Sequence, residues 1–281
     1  MKWVRTRLAF AFLLAALAAG VSAASAPQSR VDRFDERSAF AFLKRQVALG
    51  PRPAGSPASR RLAAILKASV PKGRYQAVPN RLRNVVATVR GRDPSRVVVV
   101  GAHYDTKDLP GFVGANDAAS GTAVVRELAR TIRPRTVRPT LVFIFFDGEE
   151  SPRGSDNFER DGLRGSKVAA RAFSHAEAMV LLDFVGEKNL SLPREGFSNR
   201  RLWGRLRAAA RHVGTGRTFP ARTGSHVLDD HIPFSRAGVP AIDLIDFDFP
   251  CFHRRCDDLS VVSPASLDAV GETVLEFLRS L

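Results

Sequence analysis

The stretch Val97–Asp105 reads VVVVGAHYD, and the stretch Leu141–Glu150 reads LVFIFFDGEE. Each is an unbroken apolar run that stops abruptly at small and ionisable residues. A strand wetted on one side alternates apolar and polar residues; these runs do not, so both of their faces are covered. Val180–Leu182 is another run of this kind, Val239–Ile245 is a mostly apolar run that holds Asp243, and Val85, Val86, Thr88 and Val89 make another β-rich run. Between them lie segments with helical spacing, Gly121–Thr131, Leu202–Val213 and Ser266–Leu278. The last follows Ser263-Pro264, a cap and a first-turn proline. Helical spacing also marks residues 35–70, broken by a loop at Pro51, Pro53, Gly55 and Pro57. Buried strands separated by helices predict an α/β fold. It is a single three-layer domain, with a mostly parallel mixed central sheet and helices on both faces.

Composition sets outer bounds. The chain has 281 residues, 44% hydrophobic and 25% charged, which suits a folded core and excludes a disordered or fibrous protein. Lys2, Arg5 and Arg7 precede an apolar run from Leu8 to Leu17 and then Ala23, Ala24 and Ala26. A basic head, a short apolar stretch and small residues describe a secretory signal peptide, placed at residues 1–23, with Ala26 as the other cleavage option. An uncleaved anchor is the alternative, but the run is short of the roughly 20 residues a membrane span needs, so no stable membrane insertion is expected. Residues 24–281 form the mature domain, secreted or periplasmic. The net charge of +15 comes mainly from arginines scattered along helices, without interleaved aromatics. They read as solvated faces, and no nucleic-acid partner is expected. Cys251 and Cys256 are the two cysteines. In an exported protein they are a candidate disulfide closing a tight loop. Two free thiols fit export poorly, and a metal site needs more ligands than two cysteines.

Ionisable residues follow the ends of the buried runs. Val97–Val100 leads to His103 and Asp105, and Gly114-Ala115-Asn116-Asp117 comes before a helix. Leu141–Phe146 leads to Asp147, Glu149 and Glu150, and Val180–Leu182 leads to Asp183. Asp229-Asp230-His231 precedes a strand expected to run out into Cys251-Phe252-His253-Arg254-Arg255-Cys256-Asp257. In such sheets ligands gather at the carboxyl ends of strands. A lone Asp there is usually a turn residue, and a lone His is usually just hydrogen-bonded. Together, two histidines and several carboxylates make an N/O donor set suited to zinc, and so many acids at one rim call for a cation.

The motifs HYD, GANDAASG, FFDGEE, LLD and CFHRRCDD, in this order, resemble the zinc-dependent exopeptidase family of bacterial aminopeptidases and glutaminyl-peptide cyclotransferases. The resemblance runs from about Asn84 to the C-terminus, and QVALGPRPAGSP at residues 46–57 also fits. In two-zinc aminopeptidases it implies that His103 and Asp183 bind one zinc, Glu150 and His253 the other, with Asp117 bridging. Asp105 would hydrogen-bond His103 and orient it. Glu149 would be the general base. In the cyclases it implies one zinc on Asp117, Glu150 and His253, which polarises the γ-amide of an N-terminal glutamine. Glu149 then shuttles a proton from the attacking amine to departing ammonia, and Asp183 and Asp229 complete an acid network.

Three features resemble the cyclase branch: Asp229-Asp230-His231-Ile232-Pro233-Phe234, the long segment from Ser151 to Leu163, and His103–Lys107 leading to Phe112–Ala115. Four resemble the aminopeptidases or depart from the cyclases. GANDAASG and the Cys-bracketed histidine are aminopeptidase-like. Phe252 stands where many cyclases have tryptophan, and Asp243 where animal cyclases have histidine. The balance favours a glutaminyl-peptide cyclotransferase-like enzyme acting on peptide or protein N-termini, with a zinc metallo-aminopeptidase as the alternative. A non-catalytic binding domain is a minor third reading, since every ligand and the base are retained.

Overall fold

The computed structural model describes Met1 and residues 33–281; the signal peptide expected at 1–23 therefore lies almost wholly outside the described residues. One sheet holds a first strand that no apolar run announces, β1 (Arg74–Val78), and five that carry the runs: β2 (Leu82–Val89), β3 (Asp93–His103), β4 (Pro139–Phe146), β5 (Ala178–Asp183) and β6 (Ala241–Ile245). Their order is β1-β2-β4-β3-β5-β6. β1 pairs antiparallel with β2 and β2 antiparallel with β4, while β3–β4, β3–β5 and β5–β6 are parallel. The sheet is mixed and the α/β expectation holds.

Successive residues of the central strands point into two different cores, which is why the runs lack polar breaks. Val98, Val100, Phe143, Phe145, Val180 and Leu182 face the larger core. It is closed by α1 (Glu36–Val47), α2 (Pro57–Ser69), α3 (Ala119–Thr131) and, further on, by the two helices near the C-terminus. Val99, Val142, Ile144, Phe146, Met179 and Leu181 face the smaller core on the opposite side. A run of four-residue helix, α4 (Phe158–Asp161), leads to α5 (Arg164–Ala172), and α5 covers that side. α6 (Arg200–His212) and α8 (Pro264–Ser280) complete the larger core, and α7 (His231–Arg236) the smaller.

Side chains cap the helices as their sequences suggest. Ser56, Asn199 and Ser263 accept hydrogen bonds from N–H groups in the first turns of α2, α6 and α8. α5 and α7 were not anticipated from apolar spacing, although Arg164, Lys167 and Arg171 mark the outer face of α5 at helical intervals. The buried face of α5 is Gly165, Ser166, Ala169 and Ala170, too small to show as apolar spacing, and α7 is a six-residue turn containing Pro233. The strand expected to reach Cys251 stops at Ile245, and residues 246–250 carry the chain on as a loop.

The topology sets up the site. β3 lies between β4 and β5, so the order of connection reverses there, and the carboxyl ends of β3, β4, β5 and β6 share one rim. α3 approaches this rim closely because Gly121 has no side chain; a Cβ there would collide with the Leu182 carbonyl.

Candidate metal centre

His103 closes β3 and Asp183 closes β5, so neighbouring strands present them side by side. His103 Nε2 lies 3.2 Å from Asp183 Oδ1 and 3.3 Å from Asp117 Oδ1. On the other side of Asp117, its Oδ2 lies 3.4 Å from His253 Nε2, which is 3.0 Å from Glu150 Oε1. Two donor triads result, His103–Asp117–Asp183 and Asp117–Glu150–His253, each with its donor atoms within 4.8 Å of one another. All five residues singled out as metal ligands converge here. Asp117 Oδ2 is buried without a hydrogen-bond partner, and the donors are imidazole nitrogens and carboxylate oxygens. That is a set a zinc ion fits.

The backbone is bent to achieve this. Ala118, Phe184 and His253 have φ of 76°, 48° and 52°. Non-glycine residues rarely adopt such angles, at a cost on the order of 1–3 kcal/mol each. The first two directly follow Asp117 and Asp183, and the third is itself a donor.

Around the donors, further groups hold them in place. The carboxylate of Asp105 accepts the N–H groups of Gly148 (2.9 Å), Glu149 (3.2 Å) and Glu150 (3.2 Å), tying the end of β3 to the turn after β4. The hydrogen bond expected between Asp105 and His103 is made by the main-chain carbonyl, 3.0 Å from Nδ1, while the carboxylate stays 3.9 Å away. Asp147 turns aside and accepts the Arg83 N–H at 2.9 Å. Cys251 and Cys256 form a disulfide with Cα atoms 5.5 Å apart, bracketing His253. Phe252 stacks on the His253 ring, centroids 4.0 Å apart.

Two residues at the centre were not assigned roles from the sequence. Asp257, inside the CFHRRCDD motif, accepts the N–H groups of Asn116 (2.6 Å) and Asp117 (2.9 Å), so the histidine loop also fixes the central carboxylate. Lys107 Nζ lies 2.9 Å from Glu150 Oε2, leaving Oε1 to face His253. Their neighbours in sequence were the only signal for either.

The protonation pattern shows a surplus of buried acid. Burial and the neighbouring Glu150 carboxylate push Glu149 well above the usual carboxylate range. Burial likewise lifts Asp183 to about 7, against the opposing pull of His103. Burial would lower the two imidazoles, but their carboxylate neighbours prevail: His103 is raised well above its usual value and His253 to about 9. Asp229 and Asp243 are raised too, by burial first. Glu149 Oε2 sits 3.8 Å from His103 Nδ1, and with Asp229 it lines a cavity of about 510 Å³ whose other walls include Phe184, Phe247 and Phe252.

This geometry has counterparts among known proteins. The sequence profile of peptidase family M28 matches residues 84–278. The chain belongs to that family. A glutaminyl-peptide cyclotransferase of Drosophila melanogaster is 30% identical over 66% of the chain and 61% of its own length. The chain thus spans about three-fifths of that relative. Among solved structures, a leucine aminopeptidase precursor from Bacteroides thetaiotaomicron is 28% identical with a TM-score of 0.79, covering 90% of this chain and 99% of its own. A glutaminyl cyclase from the same organism is 28% identical with a TM-score of 0.77, covering 89% and 99%. Among the described residues, no helix is long and apolar enough to cross a membrane.

Proposed function

We propose that this M28 chain is a zinc-dependent glutaminyl-peptide cyclotransferase, exported from the cytoplasm, that converts N-terminal glutamine of peptides or proteins to pyroglutamate. The observation that carries this reading is the group of buried carboxyls behind Glu149. Asp183, Asp229 and Asp243 are all at most 4% exposed, and burial raises each of them towards the protonated form. Such a group suits a reaction whose main task is to carry one proton between two nitrogens of the same substrate. The fly relative named above supports it.

Asp117, Glu150 and His253 would hold the zinc. Bound there, it would supply Lewis-acid polarisation of the γ-carbonyl. In the reaction the α-amine forms a C–N bond to the carbonyl carbon of the γ-amide (Cδ), the bond from that carbon to the amide nitrogen breaks, and ammonia leaves. Glu149 takes the proton from the amine and gives it to the leaving nitrogen; its raised pKa suits both halves of that transfer. Asp229 and Asp183 line the same cavity as Glu149, and Phe184, Phe247 and Phe252 give it an apolar wall against which the peptide can pack.

One observation favours a second reading, zinc aminopeptidase action. His103, Asp117 and Asp183 form a complete second donor triad, and Glu149 is placed to deprotonate a water instead of an amine. Release of ammonia from a glutamine-initiated peptide by the zinc-loaded mature protein tests the choice. Absence of release, together with liberation of free amino acids, would replace the first reading by the second.

A further inference from the structure

Beside the cavity that holds Glu149 lies a second one of about 300 Å³, and Val227, Ile245 and Phe247 line both. Arg222–Ser225 and Asp248, which also line it, take no part in the chemistry described above. Arg222–Ser225 is an extended segment held against residues 194–196. The Arg194 N–H donates to the Arg222 carbonyl (3.1 Å), the Gly224 N–H to the Arg194 carbonyl (2.8 Å) and the Gly196 N–H to the Ser225 carbonyl (2.8 Å). Gly224 allows the close fit, since a Cβ there would lie 2.8 Å from Pro193 Cγ. Bridged in parallel to Arg194, Thr223 turns its own N–H and C=O the other way, and neither has a hydrogen-bond partner among the described residues. This wall is fixed in place yet leaves main-chain groups open, an arrangement to which an extended peptide can add.

The charges around the second cavity are uneven. From Gly196 to Leu228 the chain carries seven arginines and no acid. Glu195, also on the cavity, has its side chain closed to solvent. Its carboxylate is held by the N–H groups of Phe197 (2.9 Å) and Val227 (3.0 Å) and the Ser198 hydroxyl (3.0 Å), with His231 Nε2 at 3.2 Å. That leaves Arg222 and Asp248 as the charged lining groups that solvent reaches. They lie 3.7 Å apart with 53% and 75% of their side chains exposed. A pair so exposed holds loosely, so Arg222 can exchange Asp248 for another carboxylate. Arg194 Nη2 donates to Thr223 Oγ1 at 3.0 Å, which brings a second guanidinium to the same wall.

We propose that the second cavity receives the third residue of the peptide substrate, and that Arg222 makes an acidic side chain the preferred one there. An extended chain advances at most about 3.3–3.6 Å per residue and points its first and third side chains to the same side. With the N-terminal residue at Glu149, the second passes the ridge of Phe247 that the two cavities share, and the third falls beyond it, beside Thr223 and Arg222. Asp248 competes with the incoming carboxylate for Arg222. The inference rests on the reading of the centre as one that acts on peptide N-termini, and it applies to release of ammonia and release of residues alike.

The test measures kcat/KM of the zinc-loaded mature protein on three amidated peptides, Gln-Leu, Gln-Leu-Glu-Ala and Gln-Leu-Lys-Ala. The wild type is expected to favour the glutamate peptide over the lysine peptide about threefold, the scale of an exposed ion pair. High salt should shrink that preference. Arg222→Glu should reverse the order and Asp248→Asn should widen it, both leaving Gln-Leu amide unchanged. Ser225→Trp, which fills the second cavity from an exposed position, should bring the glutamate peptide down to the level of Gln-Leu amide. Equal rates on the two tetrapeptides in the wild type, or an order that Arg222→Glu leaves as it was, would overturn the proposal. Should glutamine peptides stay intact while their leucine-initiated counterparts lose residues, the cyclase reading fails. The same ranking is then read on the leucine peptides, where the same results uphold or overturn the subsite.

Discussion

The two donor triads share Asp117 and differ in almost everything else. The His103–Asp117–Asp183 triad stands on the ends of two adjacent strands and is at most 4% exposed. The Asp117–Glu150–His253 triad stands on turns and loops, and the His253 side chain is 27% exposed. One is positioned by the sheet. The other depends on local devices: the Asp105 carboxylate beneath the turn holding Glu150, the disulfide around His253, and Asp257 reaching back to Asp117. Both triads reach the cavity, the loop-built one through Glu150 and His253 and the sheet-built one through Asp183, while His103 stays buried.

The largest expected effect concerns the residue between the triads. Glu149→Gln should lower turnover by about 10²–10⁴, the usual contribution of a proton-transfer group, with zinc content unchanged. Loss of zinc in that variant would make Glu149 a ligand and erase the distinction drawn here. Next come the two histidines. Under the one-zinc reading, His253→Ala strips the metal and the activity, whereas His103→Ala keeps the metal, as metal analysis of each variant would show. Equal loss from both would mean that the triads are equivalent, as in a two-zinc enzyme.

Smaller effects probe the supports of the loop-built triad. Asp257→Asn should weaken zinc binding by about 10–100-fold, the range for groups that orient a ligand. Reduction of Cys251–Cys256 should weaken it about tenfold, at the low end of that range, with little change in Tm because the closed loop is short. Chelator competition would measure both; reduced protein that retains full affinity would free His253 from its bracket.

The smallest effect is one of pH. Without metal, His253 has its pKa raised to about 9 and His103 is also raised well above its usual value, so metal must displace protons at both. Zinc affinity should therefore fall as pH drops from about 9. In the metal-free protein the raised His253 stabilises the fold below its ordinary value of 6.5, and that contribution is lost as pH rises through about 9. Melting curves across this range would show it.

Much of this was readable in the chain because apolar runs with no polar break can only be strands covered on both sides, and the ionisable residues follow them directly. His103, Glu149, Glu150 and Asp183 were placed by that logic alone. What stayed hidden has physical causes. The left-handed turns at Ala118, Phe184 and His253 have no glycine to announce them. α5 buries alanine, serine and glycine, so only the spacing of Arg164, Lys167 and Arg171 on its outer face could have announced it. Glu195 is a single acid in a long loop, and only folding brings it to His231. Nor could the sequence divide the work of Asp105: its main-chain carbonyl meets His103, while its carboxylate caps the turn after β4.

The central claim is that the centre moves a proton between two nitrogens of one substrate instead of activating water. The most direct measurement is mass spectrometry of two peptides, one beginning Gln-Leu and one beginning Leu-Leu, after incubation with the zinc-loaded mature protein. The account predicts loss of one ammonia from the first and no change in the second. Stepwise removal of whole residues from the Leu-Leu peptide, with no ammonia lost from the other, would contradict it.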